Sequence, residues 1–184
     1  MAADQTDQDD HDLLARIQDG NHHAFGVLVR RHTERFYRLA YRYVQRKDIA
    51  EDIVQDAFLK LWEHPGRWQA ERHSKFTTWF YRIVVHLCLD WQKKKHPLAL
   101  PAGLCLADTR DTPDAAILRT QAQTLLEKEI AALPERQRTA LNLCFDEELS
   151  NQEAAEVMGV HVKALQSLIM RAKARLKERM QRYR

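Results

Sequence analysis

The chain has 184 residues, of which 45% are hydrophobic and 30% charged, with five glycines, five prolines and a formal net charge of +3. That length allows one large domain or two small ones, and the composition supports a folded core under a strongly ionic surface. Few glycines and prolines, with Leu, Ala, Glu, Arg and Gln at helical spacing, favour an all-α protein. Cys88, Cys105 and Cys144 are odd in number and lack a CxxC pair, which argues against a disulfide framework or zinc ribbon and for a reducing compartment. The adjacent His22 and His23 point to different faces of a helix and suit a surface role better than metal binding. The N-terminus has no apolar signal core and no apolar run approaches membrane-spanning length, so the reading is a cytoplasmic protein without membrane insertion.

Residues 1–11 read as a disordered acidic leader, since Asp4, Asp7, Asp9, Asp10 and Asp12 occur without a Lys or Arg. A short helix is expected from about Asp12, stopped by Gly20. Phe25, Leu28, Val29, His32, Phe36, Leu39, Ala40 and Tyr43 recur at three- and four-residue steps. They predict a long amphipathic helix over roughly 22–45. Asp48 is placed to cap the next helix, whose apolar stripe is Ile49, Ile53, Ala57, Phe58 and Leu61 and which ends at His64-Pro65-Gly66. After a loop, Phe76, Phe80, Ile83, Leu87 and Trp91 mark a third long helix. From His96 to about Ile117 three prolines, a glycine and three aspartates leave no helical stripe. We read 96–117 as a flexible linker whose random-coil span is roughly 25 Å. The expectation is therefore two small helical domains, 12–95 and 118–184.

The second domain begins with a helix ending near Leu133, after which Pro134 suits the first turn of the next helix. Ser150 and Glu153 have capping-box spacing. Ala154, Met158, Val160, Leu165 and Leu168 form an apolar set around Gly159, where the chain must turn, and Ala155 is small where two helices must cross. A helix-turn-helix satisfies this pattern, and so does a plain helical hairpin. The outer face of the second helix favours the former: Lys163, Gln166, Ser167, Met170, Arg171 and Lys173 leave it polar and basic. Gln can read adenine edges, and Lys and Arg can bind guanine or phosphate. The C-terminal stretch adds Arg175, Lys177, Arg179, Arg182 and Arg184 against a single Glu178. That asymmetry suits a polyanion partner and equally a solvated helix face.

The first domain interleaves Trp68, Phe76, Trp79, Phe80, Tyr81 and Trp91 with Arg67, Arg72, Lys75, Arg82 and Lys93–Lys95. Aromatics offer stacking faces for unpaired bases while cations follow the backbone. Phe76, Phe80 and Trp91 read as core; Trp68, Trp79 and the loop before Phe76 are the candidates for exposure. Upstream, Glu51, Asp52, Gln55 and Asp56 share the face opposite the apolar stripe, which by itself is compatible with a solvated surface.

Four segments in order carry a resemblance: AEDIVQDAFLKLW (50–62), FTTWFYRIVVHLCLDW (76–91), LPERQRTALNLCF (133–145) and the helix-turn-helix. Together they resemble bacterial sigma factors of the extracytoplasmic-function group, which keep only the second and fourth sigma domains, and the resemblance covers roughly 12–180. It implies that Asp52, Gln55 and Asp56 dock on the β′ clamp of core RNA polymerase. Trp68, Arg72, Lys75, Trp79, Arg82 and His86 would open the minus-ten element and hold a flipped base. Lys163, Gln166, Ser167, Met170, Arg171 and Lys173 would read the minus-thirty-five element. Promoter DNA, the polymerase β′ clamp and β flap, and an anti-sigma factor are the implied partners, for a stress- or signal-responsive regulon. No catalytic residue, metal site or cofactor is expected, because the chemistry is left to the polymerase. Two positions depart from the group: His86 stands where Asn is common, and Leu168 stands where many relatives carry Arg. The competing readings are a helix-turn-helix regulator that binds operators without polymerase, and a protein-binding helical adaptor.

Overall fold

The computed structural model describes residues 2–68, 75–95 and 121–182. Every regular element among them is helical, and the chain divides into two compact units, residues 1–97 and 98–184. The linker predicted at 96–117 lies outside the described residues.

The first unit contains α1 (Ala2–Gln18), α2 (His22–Val44), α3 (Lys47–Glu63) and α4 (Phe76–Lys95), with a single 3-10 turn at Pro65–Arg67. The helix expected from Asp12 starts at Ala2, within the stretch read as an acidic leader. Asp10 is wholly buried and accepts hydrogen bonds from Arg31 at 2.6 Å and from His32 Nε2 at 2.7 Å. Those partners neutralise a carboxylate that could not otherwise leave water. On the same helix Leu13, Leu14 and Ile17 are buried. Gly20, at φ +81°, stops α1 in a conformation that a side chain would strain. Asn21 then caps α2, its side-chain oxygen accepting from the Ala24 amide at 2.9 Å.

The buried stripe of α2 is Ala24, Leu28, His32, Phe36, Leu39, Ala40, Tyr43 and Val44, close to the sequence expectation. Arg46, not Asp48, occupies the N-cap of α3; Asp48 sits in the first turn and draws the Arg46 guanidinium into an ion pair. The core is aromatic. Phe80 lies 4.6 Å from Phe36, 4.7 Å from Phe58 and 5.3 Å from Phe76, and Tyr81 meets Phe36 edge-on at 5.0 Å. Each such tilted pair adds about 0.5–1.5 kcal/mol to the burial of its rings. The Tyr81 hydroxyl accepts a hydrogen bond from Arg35, which also lies over the ring.

The second unit contains α5 (Gln121–Ala131), α6 (Glu135–Leu141), a π-helical turn (Asn142–Asp146), α7 (Asn151–Met158) and α8 (Val162–Gln181). Pro134 is the N-cap of α6, one position before the first turn expected for it. Leu133, Leu141 and Ala172 form a buried cluster with Ile169 and Leu176 against it. A nearly buried Glu129 is paired with Arg179 at 3.0 Å, tying α5 to the end of α8. Ser150 and Glu153 make the full capping box. Gly159 has φ +62°, and the Val160 amide returns to the Ala155 carbonyl at 3.0 Å, which turns the chain sharply into α8. Ala154, Ala155, Val157 and Leu165 are buried at the crossing. Val157 joins the set named from sequence, while Met158, Val160 and Leu168 are only partly buried.

Candidate nucleic-acid and polymerase interfaces

Helix α3 buries Ala50, Ile53, Val54, Ala57, Phe58 and Leu61. The opposite side exposes Asp52, Gln55 and Asp56, as the sequence predicts. Leu59 shares that side, three positions beyond Asp56, and is 53% exposed. An apolar residue at the end of an acidic stripe suits a protein-docking face, because charge steers the encounter and apolar contact holds it. Sequence reasoning missed Leu59, although its place outside the apolar stripe was visible.

The second surface lies on α4. Lys75, Trp79, Arg82 and His86 recur at four-, three- and four-residue steps, so they share one side of the helix. Arg82 and His86 are exposed; Lys75 and Trp79 are half-buried, Trp79 with its ring 6.1 Å from Phe76. His86 Nδ1 lies 2.6 Å from the Arg82 carbonyl oxygen. A carbonyl only accepts, so Nδ1 carries the proton and Nε2 is the ring nitrogen left to face outward. An asparagine there would offer both a donor and an acceptor.

One expectation changes at this surface. Trp68 is only 4% exposed: His11 of α1 packs edge-on against it at 4.7 Å, and Phe76 lies on it at 6.4 Å. It is a buried anchor, not an exposed stacking face, because α1 covers it. Arg72 lies outside the described residues.

The third surface is the outer side of α8. Lys163, Gln166, Met170, Arg171 and Lys173 are exposed and Ser167 is half-exposed. Lys163, Gln166, Ser167, Met170 and Lys173 form one stripe, which Arg171 flanks. Met170 is 66% exposed and Phe145, in the π-helical turn, is 55% exposed. Lys173 Nζ sits 4.5 Å above the Phe145 ring. With Cys144, Leu149 and Ile169 these residues line an open cleft of about 610 Å³ beside the stripe. The π turn, with its extra residue, carries Phe145 in place of a regular helix end. Of the basic tail, Arg179 is committed to Glu129 and Arg182 to Glu178 at 2.9 Å. The cations left for a polyanion thus lie mainly between Lys163 and Lys177.

Among the described residues no helix is long and apolar enough to cross a membrane, and no group of three His, Cys, Asp or Glu side chains is gathered for a metal ion. Cys88 is buried and its thiol is pushed up to about 12 by desolvation, so it stays protonated and unreactive.

A capped helix-turn-helix with a basic outer face, in a chain whose other unit carries a cationic and aromatic helix, defines a helical DNA-binding protein. Residues 28–97 match the Sigma-70 region 2 family and residues 123–176 the Sigma-70 region 4 family. The ECF RNA polymerase sigma-E factor of Haemophilus influenzae is 34% identical, with 98% of each chain covered. That of Escherichia coli K12 is 29% identical over 94% of each chain. Among solved structures, CnrH in complex with the cytosolic domain of CnrY matches with a TM-score of 0.69 and 25% identity, over 94% of this chain and 97% of that one. The chain belongs to the ECF family of RNA polymerase sigma factors, a family that is not an enzyme class.

Proposed function

We propose that this sigma factor carries core RNA polymerase to a two-part promoter through three surfaces of different chemistry. Asp52, Gln55, Asp56 and Leu59 dock on the polymerase β′ clamp. Lys75, Trp79, Arg82 and His86 bind the minus-ten element as it opens, with Arg72 in the preceding loop. Lys163, Gln166, Ser167, Met170, Arg171 and Lys173 read the minus-thirty-five element. The observation that carries the reading is the split itself: an acidic face with an exposed leucine on α3, and cationic faces on α4 and α8. A free-standing operator binder has no use for the first of these. RNA synthesis remains with the polymerase in the cytoplasm.

An inhibitory partner fits the same surfaces. CnrH was solved with the cytosolic domain of CnrY, and the exposed Leu59, Phe145 and Met170 of the present chain suit the apolar side of a helical anti-sigma factor. Its release would tie transcription of a specialised regulon to a signal.

Gel shift of duplex promoter with the full chain, with and without core polymerase, tests the proposal. Sequence-specific binding is expected only with core. Reversing both charges, Asp52→Lys with Asp56→Lys, should weaken core binding and leave the helical content intact. Specific binding by the chain alone would favour the operator-binding regulator and overturn the proposal.

A further inference from the structure

Helix α1 precedes the segment that matches the sigma family, which begins at residue 28. It packs mainly on α2, and from there it reaches the two residues that bracket the minus-ten loop, Trp68 directly and Phe76 through His32 of α2. His11 packs edge-on against Trp68, with ring centroids 4.7 Å apart, and Trp68 is the last described residue before that loop. The neighbouring Asp10, wholly buried, accepts from His32 Nε2 at 2.7 Å, and the His32 ring lies 5.5 Å from Phe76, the first residue of α4. Trp68 and Phe76 also touch each other, edge-on at 6.4 Å. Nearer its end, Gln18 of α1 donates to the Pro65 carbonyl at 3.4 Å, on the turn that leads to Trp68.

We infer that α1 is a positioning element for promoter opening, in which Asp10 and His11 fix the Trp68–Phe76 pair from which the minus-ten surface is presented. Phe76 in turn meets Trp79 at 6.1 Å, so a shift of the pair is passed to the first aromatic of the α4 stripe. The inference rests on the minus-ten reading of α4. His11 touches no DNA in this scheme; it acts through Trp68. Its ring, not its charge, makes the contact. His11 Nε2 is buried with no hydrogen-bond partner among the described residues, and so is Trp68 Nε1. A phenylalanine at position 11 keeps the packing and removes one unpaired buried nitrogen.

The test compares His11→Ala, His11→Phe and Arg82→Ala in the full chain with core polymerase, at a temperature where melting curves show each variant folded. Core affinity, permanganate-reactive thymines on linear duplex promoter, and transcription from a pre-melted bubble are measured for each. His11→Ala should keep core affinity and bubble transcription but lose most of the reactive thymines on duplex, and His11→Phe should restore them. Unaltered opening by His11→Ala, equal loss on duplex and bubble, or failure of His11→Phe to rescue would each overturn the inference while Arg82→Ala still impairs opening. If Arg82→Ala opens duplex normally, the minus-ten reading of α4 itself fails, and the inference falls with it.

Discussion

Leu59→Ala isolates the apolar part of the proposed polymerase contact. Full burial of a leucine side chain is worth about 1.5–3 kcal/mol. Because Leu59 is 53% exposed in the free chain, docking can bury only about half of it, or about 0.8–1.5 kcal/mol. Truncation should therefore raise Kd for core polymerase roughly four- to twelvefold. The same exposure means that folding gains little from this side chain, so the melting temperature of the first unit should hardly move. Fluorescence anisotropy of the labelled chain titrated with core reads the first quantity, and a thermal melt followed by circular dichroism reads the second. A Kd unchanged within error, with Asp52→Lys and Asp56→Lys still weakening binding, would place Leu59 outside the contact. A large fall in melting temperature would show that the exposed leucine is part of the fold after all.

Gln166→Ala should alter the preference among minus-thirty-five sequences by about 1–3 kcal/mol at one base pair, whereas Arg171→Ala or Lys173→Ala should weaken all sequences alike and flatten the salt dependence; binding titrations of polymerase with the variant on a promoter panel separate the two patterns. Trp68→Ala removes a buried ring and should destabilise the first unit by about 3–5 kcal/mol, lowering its denaturation midpoint so that a pre-melted bubble rescues nothing. Cys88 carries a pH signature: burial pushes its folded-state thiol up from the ordinary 9 to about 12. Between those values the unfolded chain sheds the proton first, so stability should fall as pH rises. Urea denaturation at pH 8 and pH 10.5 should show a smaller pH loss for Cys88→Ala than for wild type, and equal losses would refute the assignment.

Features set by near neighbours could be read from the sequence. The Ser150–Glu153 capping box, the Gly159 turn and the stripe from Leu28 to Tyr43 depend on residues within a helical turn or two of one another, and they are where the periodicity puts them. What could not be read depends on contacts distant in sequence. Asp10 belongs to a stretch with no apolar stripe, and only Arg31 and His32 on another helix make its burial tolerable. Trp68 lies among cations and polar residues and reads as exposed until His11 is folded over it. Phe145 escaped for a different reason: a π turn slips the register by about one residue, and no hydrophobic period announces it. For the site the outcome was similar, since the acidic face of α3 and the stripe on α8 were legible as exposed helix faces, while Leu59, Phe145 and the covering role of α1 were not.

The size of each surface explains why the three must act together. The α8 stripe and its flank offer Lys163, Arg171 and Lys173 as exposed cations. If all three meet phosphates, the slope of log affinity against log salt is only about −2.7, the slope of a weak binder whose contacts are lost in physiological salt. The α4 stripe contributes Lys75 and Arg82, and its aromatic and histidine contacts need a strand that is already unpaired. Neither unit can hold a closed promoter on such terms. In the proposed arrangement core polymerase changes the terms by holding the chain through α3. Contact of one unit with DNA then makes the second an intramolecular event, at an effective concentration set by the tether and not by the concentration of free protein. A modest net charge of +3 follows from the same logic: more positive charge would hold the free chain on any duplex, away from the polymerase that gives its three surfaces a common target.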